Sequence, residues 1–384
     1  MKSLIATALL SLSALTPLNA SGQEPVNGLH LSLKLESQET IKKGNKFLLT
    51  QQHADGYWGE PTLPAISAYV LRSLILDPSF DEKSPAGEQV KKGLAWLIAQ
   101  QKVDGGIYGK GMATYCTSSS IMALYLADPI KYRDQIIKAR AFLINQQTDW
   151  GVKGADDTLF DGGIGYGGTY AHSDLSNTHL ALEALYHSRS IANDTGEGTV
   201  QELDWGAALE FVSRCQNLQE TNDGEKVGND GSFVYFPGNS KAGEAVDSKT
   251  GRITLRGYGS MTYAGLLSLV YSDLDASDPR VKAVIGWINE NYTLEENPGL
   301  GGQGLYYYFH VISKSLVAAN IAELKGKNGL PVDWRSELAT KIINAQREDG
   351  SWLNTEAARW MENDPILVTS YANMTLQQIH STLN

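Results

Sequence analysis

One segment whose polar groups could cap a helix or face a ligand cavity is Asp174-Leu175-Ser176-Asn177-Thr178. It sets a carboxyl, a hydroxyl and an amide at the start of an apolar run that continues through Ala181 and Leu182. A carboxyl serves as a general acid only where apolar surroundings lift its pKa, and nothing apolar surrounds the other candidate carboxyls. Asp156-Asp157-Thr158 lies instead in a polar stretch and reads as a solvated loop. His310 follows Tyr306-Tyr307-Tyr308-Phe309, and Lys314 shares its face one turn further on. A lone histidine does not complete a zinc site, so no metal centre is expected. Carboxylate pairs of the kind that cleave sugars are not evident. Asp174 and His310 are therefore the two catalytic candidates.

These side chains sit within a unit that recurs six times. The first unit runs over 41–52 and then Asp55-Gly56-Tyr57-Trp58-Gly59, and the second over 90–101 and then Asp104-Gly105-Gly106-Ile107. The third joins 139–147 to Asp161-Gly162-Gly163-Ile164, and the fourth joins 208–216 to Asp230-Gly231-Ser232-Phe233. The fifth is weakest, with 284–288 before Gly301-Gly302-Gln303-Gly304, and the sixth joins 339–346 to Asp349-Gly350-Ser351-Trp352. Each unit predicts an amphipathic helix ending near a glutamine, a glycine-rich turn carrying an aromatic, and a second, more apolar helix. The second helices are expected over 64–76, 115–126, 175–187, 261–270, 311–322 and 366–379. They are apolar around most of their circumference and belong inside. The first helices carry lysines on one face, as at Lys42, Lys43 and Lys46, and belong outside. Such helix pairs build either an open solenoid or a closed ring.

The run from Phe47 to Gln52, followed by Gly56-Tyr57-Trp58, resembles the QW repeats of squalene and oxidosqualene cyclases. Related repeats build the β subunits of protein prenyltransferases, and the resemblance covers about 41–378. It implies an all-α fold, an α/α toroid of six outer and six inner helices around a central cavity. In those cyclases an Asp-x-Asp-Asp-Thr segment begins an inner helix, and its middle aspartate protonates the substrate. The matching segment here is 174–178, with Ser176 at the donor position and Asn177 after it. A serine hydroxyl is far too weak an acid to protonate an alkene, which argues against protonation-initiated cyclisation. The segment then reads as a helix start capped by Asp174 or Ser176, or as the polar end of a ligand cavity. Prenyltransferases hold zinc through aspartate, cysteine and histidine. Here 256–263 offers neither aspartate nor cysteine, so zinc-dependent prenyl transfer and any cofactor are not expected. Thioester ring domains share the architecture, but no Gly-Cys-Gly-Glu-Gln segment occurs.

Such a ring draws its cavity lining from the starts of the inner helices: Tyr69, Tyr115, Cys116, His172, Asp174, Ser176, Asn177, Tyr258, Tyr263, Tyr307, His310 and Lys314. This wall suits an apolar ligand with a polar end, an isoprenoid or a peptide-like molecule. Three readings stand side by side. The chain is a binding protein, a divergent cyclase, isomerase or lyase using Asp174 or His310, or a protein-interaction scaffold.

Composition sets the outer bounds. The chain has 384 residues, a net charge of −11 and 42% hydrophobic residues, enough for a packed core. The acidic balance argues against a nucleic-acid partner. Residues 1–20, with Lys2, an apolar run over 4–12 and Ala20, read as a secretory signal, so export to a periplasm or beyond is expected. No transmembrane segment is expected. Residues 21–40 read as a linker and 41–384 as one toroid domain with a loop insertion at 217–258. That insertion carries Lys241, Glu244, Arg252 and Arg256, and its length suggests a lid, a partner surface or a tolerated excursion. Cys116 and Cys215 read as buried free thiols.

Overall fold

A computed structural model describes residues 27–150, 158–167, 172–193, 201–246 and 251–383. The expected signal segment 1–20 and the pair Asp156–Asp157 lie outside the described residues. Among the described residues, six outer helices alternate with six inner ones. The outer set is α1 (Asn27–Thr50), α3 (Pro85–Ala99), α5 (Arg133–Ile144), α8 (Trp205–Arg214), α10 (Pro279–Asn291) and α12 (Trp334–Asn344). The inner set is α2 (Pro64–Ile75), α4 (Ala113–Ala127), α6 (Leu175–His187), α9 (Gly259–Tyr271), α11 (Leu305–Ala318) and α13 (Pro365–His380). A short α7 (Arg189–Asn193) follows α6. Each inner helix packs on the next, and α13 packs back on α2, so the inner layer closes on itself. The fold is an all-α toroid.

Local chemistry explains the boundaries. Proline opens α2, α3, α10 and α13, where its missing N–H costs nothing. Aspartates at 174, 204, 278, 333 and 364 cap their helices by accepting a backbone N–H. Inner helices are buried nearly all round, and every residue of α9 is buried. The 306–310 aromatic run lies within α11, which begins at Leu305 rather than near 311.

The linker expected at 21–40 is corrected by the structure, since 27–40 forms the first half of α1. Leu33, Ser37, Thr40 and Ile41 are buried at helical spacing against α13. Small polar residues fill much of that face, which hides its periodicity in the sequence.

The repeated residues serve as ties between units. Gln52, Gln101, Gln147, Gln216 and Gln346 each donate Nε2 twice. One bond goes to the carbonyl of the glycine in their own turn, and the other to a carbonyl at or just before the next outer helix, 2.8–2.9 Å away. For Gln346 that next helix is α1, at Thr40. A second tie recurs on the inner side. Hydroxyls of Ser67, Thr117, Thr178, Thr262 and Thr369 accept the backbone N–H of Trp58, Ile107, Ile164, Phe233 and Trp352 at 2.9–3.1 Å. The glycine of each turn is needed for its close approach. At Gly105, with φ +92°, a Cβ would stand 2.3 Å from the carbonyl oxygen of Lys138 on α5.

The 217–258 insertion is partly regular: β1 (Glu244–Val246) pairs antiparallel with β2 (Ile253–Leu255). A second small ribbon joins β3 (Leu324–Lys325) to β4 (Pro331–Val332). Cys116 and Cys215 are buried free thiols, and burial pushes Cys116 up to about 12. Among the described residues, no helix is long and apolar enough to cross a membrane.

Candidate functional site

Inner helices begin on the face that carries the glycine-rich turns, and this face forms the mouth of the ring. Asp174 caps α6 there. Its Oδ1 accepts the Asn177 backbone N–H and its Oδ2 accepts Asn177 Nδ2, both at 2.9 Å. Burial lifts its pKa to about 6, against the pull of the two Asn177 bonds and of the charges on His172 and Lys241. Ser176 is half-buried in the first turn of α6. Thr178 accepts the Ile164 N–H as the repeat tie described above, so its place beside Asp174 has a structural cause. His172 lies 4.6 Å from the Phe236 ring, and Lys241 reaches from the insertion to 3.9 Å over the Tyr235 ring. Tyr235 donates its hydroxyl to Tyr166, and Tyr258 is buried at the start of α9. The mouth is an aromatic funnel with the Asp174 carboxyl at its floor and a second buried carboxyl, Glu362, accepting the Tyr307 N–H at the start of α11.

Deeper along the axis the inner helices meet through tyrosines. Tyr69 lies edge-on to Tyr115 and Tyr371 at 6.2 and 5.2 Å, and Tyr307 lies 5.9 Å from Tyr371. The Tyr115 and Tyr371 hydroxyls are 3.1 Å apart, and His310 stacks on Tyr371 at 5.5 Å. His179 Nδ1 faces the Leu175 carbonyl at 3.3 Å, which can only accept, so Nδ1 carries the proton. Its Nε2 is left to accept from the Tyr307 hydroxyl, also at 3.3 Å. Burial, reinforced by Lys314, lowers His179 to about 4, so it is neutral near neutral pH.

Below this layer Glu183 accepts from Arg72 at 3.1 Å and from Lys314 at 2.5 Å. Burial alone would push the Glu183 carboxyl up, but Lys314 and Arg72 reverse that and hold it well below the usual carboxylate range. It is therefore an anion, not an acid. The hollow centre implied by the repeats is instead crossed by these side chains.

The expected lining residues divide into two groups. His172, Asp174, Ser176, Asn177 and Tyr258 meet at the mouth. Tyr69, Tyr115, Tyr307, His310 and Lys314 meet along the axis. Tyr263 joins neither, because its ring packs 5.7 Å from Tyr308, and Cys116 is a fully buried thiol within α4. Arg256 is exposed and donates to the Glu244 carbonyl within the ribbon. Sequence reasoning overlooked Arg72, His179, Glu183 and Tyr371. The signal was present in α6, where His179, Glu183 and His187 stand four residues apart on one face of an otherwise apolar helix.

No family model matches the sequence, and no curated protein matches it. Solved structures do resemble it. The apo structure of the type II terpene cyclase MstE from Scytonema has a TM-score of 0.51 at 12% identity, covering 90% of this chain and 98% of that one. A variant of MstE with geranylgeranyl dihydroxybenzoate bound gives 0.52 at 12%, covering 91% and 99%. An unsaturated glucuronyl hydrolase specific for heparin gives 0.54 at 11%, covering 91% and 96%. All of these share the toroid.

Proposed function

We propose that this chain is a ligand-binding toroid of the squalene-cyclase repeat type, and that it does not start cyclisation by protonation. One observation carries the reading. Ser176 stands where the cyclase resemblance puts the acid, and both oxygens of the adjacent Asp174 are engaged by Asn177. The aromatic mouth then seats a ligand with an apolar body and a polar end, for which an isoprenoid or a peptide-like molecule is the natural class. Incubation with squalene and with prenyl diphosphates, followed by mass detection, is expected to return the substrates unchanged. A long-chain isoprenoid alcohol is expected to bind and to quench protein fluorescence, with weaker binding in Tyr235→Ala. Cyclised product that disappears in Asp174→Asn overturns the reading.

A second reading has its own support. The Tyr307 hydroxyl is donated to a neutral, oriented His179, and Asp174 has a pKa of about 6, so groups able to move a proton stand at the mouth and along the axis beneath it. A divergent isomerase or lyase built on them requires turnover that falls in His179→Ala. We also propose that residues 1–20 direct export, which fractionation of expressing cells tests.

A further inference from the structure

At the centre of the ring two basic side chains share one carboxylate. Arg72 and Lys314 are both buried and both bond one carboxylate, that of Glu183. Burial lowers the Lys314 pKa and Arg72 adds to that, while the Glu183 carboxylate it bonds favours its proton. The histidines around them bring no compensation. His179 and His187 are lowered to about 4 and His310 further still, so all are neutral near neutral pH. A buried cation left over in this way is strongly unfavourable.

The same place holds polar atoms with nothing to bond. Among the described residues, Arg72 Nε and both ring nitrogens of His310 are buried without a partner. Arginine Nε always carries a hydrogen, and a neutral imidazole carries one on one nitrogen, so donors stand open. Buried donors in folded proteins are normally satisfied. An excess cation and unsatisfied donors at one point share one remedy.

We propose that the axis between α2, α6 and α11 binds one small monovalent anion, a halide or the carboxylate end of a ligand entering from the mouth. Arg72 Nε and a His310 N–H donate to it, and Lys314 supplies the balancing charge. Glu183 holds the two cations in position. Arg72 and Lys314 together then match Glu183 and the guest. The site is deeper than the funnel and stands whether or not the funnel binds an isoprenoid.

The test is thermal unfolding at matched ionic strength in chloride, in acetate and in gluconate, which is too bulky to enter. Chloride is expected to raise Tm saturably by several degrees over gluconate, because a ligand that binds only the folded chain stabilises it. In Lys314→Met, which removes the excess charge, the response is expected to vanish. A response to acetate alone assigns the site to a carboxylate. No response to either anion, as when Lys314 sheds its proton instead, overturns the proposal, as does an unchanged response in Lys314→Met. Should that variant fail to fold, crystals of the natural chain soaked in bromide decide the matter. An anomalous peak within hydrogen-bond distance of Arg72 Nε supports the site, and bromide on the surface alone overturns it.

Discussion

Gln346 donates its side-chain amide to the backbone carbonyl of Thr40 at 2.9 Å, tying the last repeat to the first helix. The same amide also holds Gly350 of its own turn. Gln346→Ala therefore leaves carbonyls of both elements without a partner, and a loss of about 1–2 kcal/mol is expected. Urea titration measures it as a lower midpoint at unchanged slope. Gln101→Ala removes the equivalent pair of bonds and serves as the comparison. A Gln346→Ala loss clearly smaller than that of Gln101→Ala means that the ends are not joined in solution.

Thr178 sits beside Asp174 in the one segment that resembles a catalytic motif, yet Thr117 makes the same bond two helices earlier. Thr178→Val and Thr117→Val are expected to cost about the same, roughly 1–2 kcal/mol, since each strands a buried N–H. Stability left intact in Thr178→Val, with ligand binding lost, points to a role in the site instead of the repeat.

The alternation of outer and inner helices was legible because apolar period, glutamine, glycine and aromatic recur together. Closure was not. The bond from Gln346 to Thr40 is of the same kind as that from Gln52 to Gln89, and an open solenoid would use it between every internal pair. At the site, Asp174 and Asn177 were readable as a helix start because they interact three residues apart. The charges of the axis were hidden by distance along the chain. Arg72 and Lys314 meet Glu183 across 111 and 131 residues, and no local pattern pairs them. His172 drew attention in the sequence, while His179, the histidine that meets Tyr307, lies one turn into an apolar helix.

Glu183 and Lys314 differ in what their loss leaves behind. Glu183→Gln strands two buried cations and is expected to cost about 3–5 kcal/mol. Lys314→Met leaves the Arg72–Glu183 pair neutral and is expected to cost distinctly less in chloride-free buffer. Equal losses by chemical denaturation contradict the charge count at the axis.

Acid titrates these groups in opposite senses. Burial raises Asp174 from 3.8 to about 6, so its contribution to stability is full below 3.8 and fades as pH rises through about 6. His179 and His187 are lowered by burial from 6.5 to about 4, so theirs is full above 6.5 and is lost as pH falls through about 4. Glu183, held below its ordinary 4.5, acts in the same sense as the histidines. Net stability is expected to climb between pH 4 and pH 6.5, and to climb more steeply in Asp174→Asn. A shallower climb in that variant, measured by urea midpoints across the range, contradicts the assignment.

The fifth unit breaks the pattern at one junction. Where the other outer helices end in the bonding glutamine, α10 is followed by Tyr292. A cleft of about 660 Å³ opens there between Tyr292 and α12, bridged at the surface by Lys341 and Glu295. The Lys341–Glu295 pair there takes the place of the glutamine tie. At that junction the circle closes without the amide clamp that spans the other five.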